Sequence, residues 1–355
     1  MLHREPIKSQ RPGNPPGKSR LVSLITGSLI LLLAAAWISL LLGRYPASAR
    51  DILAVLAGGQ VTDPLLSDIV KIRLTRMALA GMVGATLALT GAVFQALLRN
   101  PLAEPFTLGV STGAAFGATV SLYLGLSATT IYGLTLVPLS AMAGAGLSLA
   151  LVLALSRGES GFLRPATLIL AGMVVSSFLS ALISLIKSLA DETLSSIVFW
   201  LLGSFSNRGE GHLIFLLPYL LPALALALFW YRELDILALG DLEAQHLGVH
   251  VARVRFWLLI SSCLAAAATV AISGVIGFVG LVIPHLIRLI SGPGHRSLLP
   301  LSLLLGAGLM ILADVLARII LPTGEELPVG VITSLLGGPF FAWLLYRRRR
   351  EIEGW

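Results

Sequence analysis

The sequence predicts an all-α protein that crosses a membrane many times. Hydrophobic residues occupy 56% of its 355 positions and charged residues only 12%, and the mean hydropathy is +0.90. Soluble domains carry about 25% charged residues. The second observation is the length of the uncharged runs: 22 residues without a charge separate Arg76 from Arg99. About 20 apolar residues are enough for one helical crossing of a bilayer.

Ten apolar runs predict ten spans. The eighth is short and contains Pro284, so its bounds are the least well defined. The spans are expected at 21–42, 76–98, 107–125, 131–155, 165–187, 212–230, 255–274, 278–291, 299–318 and 330–346.

The second span is rich in small residues at helical spacing, namely Gly81, Gly84, Ala85, Ala88, Gly91 and Ala92. Small residues three or four positions apart share a helix face and let another helix approach closely. We therefore expect this helix to be packed inside the protein and not against lipid.

The first span has an alternative interpretation as a signal peptide, because Ala47-Ser48-Ala49 resembles a cleavage site. Its apolar run of 22 residues exceeds the roughly 7 to 15 residues of a signal core. We interpret it as a retained span.

Basic residues predict the orientation of the chain. An even number of spans places both termini on one side, and with that side inside, 17 of the 25 Lys and Arg residues lie on inner segments. This bias follows the positive-inside rule. We expect a basic cytoplasmic tail over 1–20, one ten-helix membrane domain over 21–346 and a second cytoplasmic tail over 347–355.

Residue types exclude several classes of function. The net charge of +7 arises from basic residues that flank apolar spans, so nucleic-acid binding is not indicated. Cys263 is the only cysteine, so neither a disulfide framework nor a cysteine metal site is available within the chain. No acid pair, metal triad or nucleophile with a base is visible. The chain is therefore not expected to be an enzyme or to bind a metal or cofactor of its own.

Glu104 and Asp314 are the acids nearest to membrane depth. Asp314 precedes Arg318 by one helical turn, where an i,i+4 ion pair explains it as well as a functional role does. Ion-coupled transporters keep ionisable groups within their spans, and this chain keeps almost none. We expect the energy to come from another subunit. The alternative is a proton- or sodium-coupled secondary transporter that uses Asp314 or Glu104.

Two connections have more pattern than a plain linker. On the outer side, residues 200–208 predict a short helix that Gly203 ends, dipping towards the membrane. On the inner side, 234–251 predicts a short polar helix that stops at Gly248. In that helix Asp241, Ala244 and Gly248 share a shallow face of small residues, where a partner could dock.

Several motifs resemble the FecCD-type permeases of bacterial ATP-binding-cassette (ABC) importers for iron-siderophores, haem and cobalamin. The resemblance covers roughly residues 70–346, in consistent order and spacing. The motifs are Arg73-x-x-Arg76, Gly91-Ala-x-x-Gln95, Asn100-Pro-Leu-Ala-Glu-Pro105, Leu108-Gly-Val-Ser-x-Gly-Ala114, Ala238-Leu-Gly-Asp241 with Leu247-Gly248, Gly277-Phe-Val-Gly-Leu-Val-Ile-Pro-His285 with Arg288, His295-Arg296, Ala313-Asp314 with Arg318, and Glu326-Leu-Pro-x-Gly330.

The resemblance implies a type II importer permease of ten spans per chain that works as a homodimer in the bacterial cytoplasmic membrane. Two cytoplasmic ABC ATPase subunits would bind ATP and Mg²⁺, and a periplasmic or lipid-anchored binding protein would deliver the substrate. It also implies that the inner loop seats in a cleft of the ATPase. The coupling residues would be Ala238, Gly240, Asp241, Ala244, Leu247 and Gly248.

Gates, docking residues and pathway also follow from the resemblance. Asn100, Pro101 and Leu102 would form a cytoplasmic gate, although a structural turn explains them too. The second inner loop, 157–165, is less clearly patterned. Outer arginines at 73, 76 and 318 would meet carboxylates of the binding protein; the alternative is that they snorkel to lipid headgroups.

The pathway would lie along the fifth and tenth spans and the outer segment, by the same resemblance. Its lining is expected to be uncharged, which suits a bulky cargo. The residues are Ser176, Ser177, Ser180, Ser184, Trp200, Gly203 and Phe205. For the cargo, a ferric siderophore is expected first, haem second and cobalamin third.

Overall fold

The computed structural model describes residues 18–352 except 60–62, 127–128, 132–133, 158–162 and 323. Most of the predicted N-terminal tail and the last three residues of the C-terminal tail therefore lie outside the described residues. The helices are Lys18–Leu41 (α1), Ala49–Leu56 (α2), Pro64–Leu97 (α3), Val110–Tyr123 (α4), Leu136–Ser156 (α5), Pro165–Leu189 (α6), Leu194–Leu201 (α7), Glu210–Phe229 (α8), Tyr231–Leu237 (α9), Asp241–His246 (α10), Val251–Ser273 (α11), Val279–Ser291 (α12), His295–Ile319 (α13) and Val329–Ile352 (α14).

Other regular structure in the described chain is small. A 3-10 turn, Pro105–Leu108, precedes α4, and two two-residue strands, Thr130–Ile131 (β1) and Leu134–Thr135 (β2), pair antiparallel before α5. The membrane domain is otherwise helical.

Each predicted span falls on one long or medium-length helix. Among the described residues, seven helices are long and apolar enough to cross a membrane: α1, α3, α5, α6, α8, α11 and α13. Helices α4 and α12 have only 14 and 13 residues, and the apolar part of α14 is also short. A polytopic membrane protein is confirmed, and the count of ten crossings stays a prediction.

Two elements differ from the sequence-based expectation at the outer end. Helix α3 begins at Pro64, 12 residues before the predicted span, because Asp63 caps it and charged turns extend it beyond the apolar run. Helix α2 was not expected. It begins after Ser48, whose hydroxyl accepts a hydrogen bond from the Asp51 backbone N–H at 3.2 Å, and this serine belongs to the tripeptide that resembled a cleavage site.

Helices α3 and α11 form the centre of the molecule. In each of them 78% of an 18-residue apolar stretch is buried inside the protein, against 11% of the corresponding stretch in α1. Helix α3 packs on α8, α11, α12 and α13. At Gly84 the backbones come so close that an added Cβ would lie 2.2 Å from the Gly306 carbonyl oxygen. The predicted small-residue packing face is confirmed.

The outer ends of three elements meet where α7, α11 and α14 approach one another. Gly203 follows α7 with φ +73°, and an added Cβ there would lie 2.6 Å from the Val275 carbonyl oxygen. The Ser204 N–H donates to the Ser273 carbonyl at 2.8 Å. A short helix ends just before Gly203, but it covers Leu194–Leu201, and of the predicted segment 200–208 only residues 200 and 201 are helical, so the predicted bounds are wrong.

Candidate coupling loop, gate and pathway

The inner loop folds as two short helices where the sequence suggested one. Helix α9 ends at Leu237, and Gly240, with φ +142°, breaks the chain before α10. Gly248 has φ +83°, a left-handed conformation that favours glycine. The predicted stop at Gly248 is therefore confirmed, and the loop leads directly into α11.

Asp241, the first residue of α10, is the electrostatic centre of this loop. Its two carboxylate oxygens accept hydrogen bonds from Arg255 of α11 at 2.7 and 2.9 Å. Arg99, which follows α3, lies 3.1 Å from the same carboxylate. The Arg255 hydrogen bonds hold the pKa of Asp241 below its usual range, although partial burial opposes this and Arg99 assists it.

Arg255 extends this link to the loop before α6. Its side chain is only 3% exposed, and Nη1 also donates to the Leu163 carbonyl at 3.0 Å. The Asp241 carboxylate therefore links the inner loop to the end of α3 through Arg99, and to the segment before α6 through Arg255.

The predicted gate turn lies beside this cluster. The Asn100 side-chain oxygen accepts a hydrogen bond from the Leu102 N–H at 2.9 Å, which confirms a local structural turn at Pro101. Arg99 holds a left-handed conformation, φ +49°. A cavity of about 640 Å³ is lined by Leu98, Arg99, Asn100, Arg164, Pro165, Ala166, Ile169 and Asp241. Both inner segments therefore meet Asp241 in one cavity.

The face expected to receive a partner points the other way. Ala244 is fully buried, Gly240 is buried and Asp241 turns towards Arg255, because the small residues pack α10 against the protein. Ala238, Leu247 and Gly248 are exposed, as a docking surface requires. Sequence reasoning included Leu247, which is 61% exposed, but missed Leu239 and Leu242, which are 66 and 68% exposed, although leucines in a polar loop are a signal for docking.

The outer arginines form a cluster with partners inside the chain. Arg76 donates to Asp314 at 2.7 Å and lies 2.9 Å from Glu326, and Arg318 lies 3.2 Å from Asp314. The i,i+4 pair expected at Asp314 is confirmed. Arg73 is 6% exposed and donates to the Leu40 carbonyl at 2.7 Å.

This placement differs from the expected docking surface. Arg73 and Arg318 are each 6% exposed. A guanidinium can be buried only where it finds hydrogen-bond acceptors, and here the end of α1 supplies them. Arg318, for example, donates to the Ser39 hydroxyl at 2.9 Å. Within this cluster, Arg76 and Glu326 keep side chains that are 12 and 25% exposed, so these two groups remain accessible to a docking protein.

The same cluster bears on ion coupling. Asp314 is 1% exposed and pairs with two arginines, so it is not a free carboxylate of the kind that binds a coupling proton. Glu104 lies next to the Gly280 backbone, and no ion pair reaches it from the described residues. The secondary-transporter alternative therefore loses one of its two candidates.

Helix α6 carries two neighbouring exposed stripes. At 100° per residue, Ser177, Ser180, Ser184 and Ser188 lie within about 80° of one another, and the structure leaves all four exposed. Ser176, at the edge of this stripe, is partly buried. The adjacent stripe is apolar: Val174, Phe178 and Leu185 are 64, 61 and 54% exposed. A single helix thus presents a face of four hydroxyls, which exposed Leu170 and Met173 continue towards its start, beside an apolar face.

The outer segment contributes less to this surface than expected. Phe205 is 1% exposed and packs in the core, and Gly203 is buried against the chain after α11. Phe205 therefore does not line an open path in this structure. Trp200 is partly buried, and its indole N–H finds no acceptor within the described chain.

Known proteins resemble this chain in sequence and in fold. The model of the FecCD transport family matches residues 31–347. An uncharacterized ABC transporter permease protein of Bacillus subtilis, YvrB, is 49% identical over 82% of this chain and 83% of its own. The molybdate import system permease protein MolB of Haemophilus influenzae is 40% identical over 92 and 96%. A solved inward-facing ABC transporter of the metal-chelate type shares 38% identity over 92% of this chain and 99% of its own, with a TM-score of 0.80.

Proposed function

From the premise that the chain belongs to the FecCD transport family, we propose that two copies form a homodimeric permease with ten spans per chain and cytoplasmic termini. The chain is the multi-pass permease subunit of a bacterial ABC importer and is not itself an ATPase. Membership implies an ATPase partner that hydrolyses ATP and a binding protein that delivers substrate. Two ATPase subunits per dimer are part of the proposal.

One observation supports the coupling mechanism: Asp241 binds Arg255 and Arg99 at once. A displacement of α10 pulls on both arginines, because a bidentate carboxylate–guanidinium pair is directional and strong. Arg99 moves the Asn100 turn, and Arg255 moves the segment at Leu163. ATP-driven closure of the partner ATPase would thus reach both inner segments through one side chain.

The ATPase docks, in this proposal, on the exposed leucines of the inner loop. Exposed apolar side chains in a polar loop mark a protein contact. Leu239, Leu242 and Leu247 flank Asp241 in the chain, so the docking force acts next to the ion pair that transmits it.

Co-purification with the cognate ATPase subunit tests docking. Leu242→Asp should reduce the bound ATPase at least about tenfold, as expected for burying an unpaired charge in an interface. Leu65→Asp is the matched control, because Leu65 is 63% exposed at the opposite end. Equal ATPase recovery with Leu242→Asp and Leu65→Asp would remove the inner loop from the docking surface.

Docking of the binding protein involves Arg76 in this proposal. A carboxylate from the binding protein would replace Glu326 on Arg76, so the charge of Arg76 stays paired during the exchange. The buried Arg73 and Arg318 would hold the surrounding chain in place. Glu326→Gln should then raise the affinity of the binding protein, and Arg76→Gln should lower it. An affinity that neither variant alters would place docking elsewhere.

The cargo is proposed to be a ferric siderophore, with haem and cobalamin as the next candidates. The uncharged serine stripe of α6 supports a bulky ligand that must pass without sticking. The similarity to a permease named for molybdate adds a small oxyanion that the sequence analysis did not consider. Uptake assays with these four classes of cargo, each with the cognate binding protein, distinguish them.

A further inference from the structure

A second inner cavity has no role in the coupling mechanism. It measures about 310 Å³ and lies between the end of α5 and the start of α11. It is lined by Leu153, Arg157, Leu163, Ala252, Arg253, Arg255 and Phe256. Three arginines thus share one small space at the inner end of the helices.

Two of these arginines lack a counter-charge among the described residues. Arg255 is already paired with Asp241. Arg157 and Arg253 are exposed, and neither has an ion-pair partner among the described residues. The cavity therefore presents two positive charges, which match one or two phosphate groups.

The start of α11 adds backbone donors. Ala252 and Arg253 lie in the first turn of this 23-residue helix and line the cavity. The preceding residue, His250, makes no side-chain capping hydrogen bond. First-turn N–H groups at a helix start favour an anion such as phosphate.

The surroundings are apolar where a lipid would extend. Leu153 and Phe256 line the cavity. Next along α11, Trp257 is 50% exposed and stacks edge-on with Phe256 at 5.5 Å. On α5, Leu147, Leu151 and Leu155 are 52, 40 and 59% exposed but lie about 140° around the helix from Leu153 and Arg157, so they do not adjoin the cavity. Exposed tryptophan near a helix end is typical of the membrane interface.

We propose that this cavity binds the phosphate of an anionic phospholipid, with Arg157, Arg253 and the start of α11 around the headgroup and the acyl chains along the exposed aromatic face of α11 at Phe256 and Trp257. Basic pockets between membrane helices on the cytoplasmic side bind such headgroups. A lipid is favoured over free phosphate because the exposed side chains of Phe256 and Trp257 adjoin the charges. The proposal rests on the membrane placement of the chain and not on its cargo.

Native mass spectrometry of the purified full-length chain tests this site. The chain is incubated with equal amounts of dioleoylphosphatidylglycerol and dioleoylphosphatidylcholine. We expect preferential retention of phosphatidylglycerol, and Arg157→Gln/Arg253→Gln should reduce that preference about tenfold. The control Arg232→Gln/Arg296→Gln removes the same charge at exposed positions outside the cavity and should retain the preference.

Three results would overturn the proposal. Equal loss in both double variants would show a general charge effect. Retention of inorganic phosphate at millimolar concentration in the absence of lipid, together with unselective lipid retention, would show an anion site only. Unchanged lipid preference in Arg157→Gln/Arg253→Gln with weakened ATPase binding would assign the arginines to the partner subunit. None of these outcomes depends on transport, so the test is separate from that of the proposed function.

Discussion

Asp241 and Arg255 form a bidentate ion pair, with distances of 2.9 Å from Nη1 to Oδ2 and 2.7 Å from Nη2 to Oδ1. The pair joins the start of α10 to α11, and Arg99 adds the end of α3. It provides a direct path from the inner loop to both inner segments near the cavity.

Breaking this pair should uncouple ATP hydrolysis from transport. Asp241→Asn leaves the buried guanidinium of Arg255 without its counter-charge, a cost of about 1–3 kcal/mol. We expect ATPase subunits still to bind, while uptake per ATP hydrolysed falls at least about tenfold. Glu243→Gln, two residues along on the exposed face, is the control and should leave this ratio unchanged. Normal uptake per ATP in Asp241→Asn would exclude the pair as the transmitting contact.

The stabilisation by Asp241 should depend on pH only in the acid range. Its pKa is lowered in the folded state, so the pair stabilises fully above the ordinary carboxyl pKa of about 3.9 and is lost as pH falls through the lower folded value. The Tm difference between the wild type and Asp241→Asn should stay constant from about pH 8 to pH 5 and shrink below about pH 4. A difference that already disappears near neutral pH would contradict the assigned ion pair.

Cysteine labelling can test the two stripes of α6. The native Cys263 is fully buried, which provides a low background. In the assembled transporter, Ser177→Cys and Ser184→Cys should react with a membrane-impermeant maleimide, because they face the water-filled pathway. Val174→Cys and Phe178→Cys, one stripe over, should stay unlabelled against lipid or the second copy. The reverse pattern would place the pathway on the apolar stripe.

Contact between α3 and α13 should not tolerate a side chain at Gly84. Gly84→Val would bring Cβ within 2.2 Å of a backbone oxygen and 2.5 Å of Met310 Cβ, so helices must separate at a cost of at least about 1–3 kcal/mol. Gly146→Val is the control, because nothing lies within 4 Å of an added Cβ there. Thermal unfolding in detergent should show a clear loss of Tm for the first variant only.

The helices could be predicted from the sequence because uncharged runs and small-residue spacing report directly on membrane burial and close packing. Partners of charged groups could not. Arg73 and Arg318 occur in a motif that suggests an exposed role, but their acceptors lie near residues 39–42, far away in the chain. Ala244 was assigned to the exposed face of α10. Helical periodicity shows which residues share a face, but it does not show whether that face packs on α11 or points to solvent. Helix α2 depends on a local cap at Ser48 that hydropathy does not detect.

The most direct test of the central claim is cargo accumulation in liposomes. Permease vesicles receive ferric siderophore on loaded binding protein, with or without the ATPase subunit and internal ATP, and with or without an imposed proton gradient. The account predicts accumulation against a gradient only when ATPase and ATP are both present, with no dependence on the proton gradient. Uphill uptake by the permease alone, driven by protons and abolished by Glu104→Gln, would contradict it.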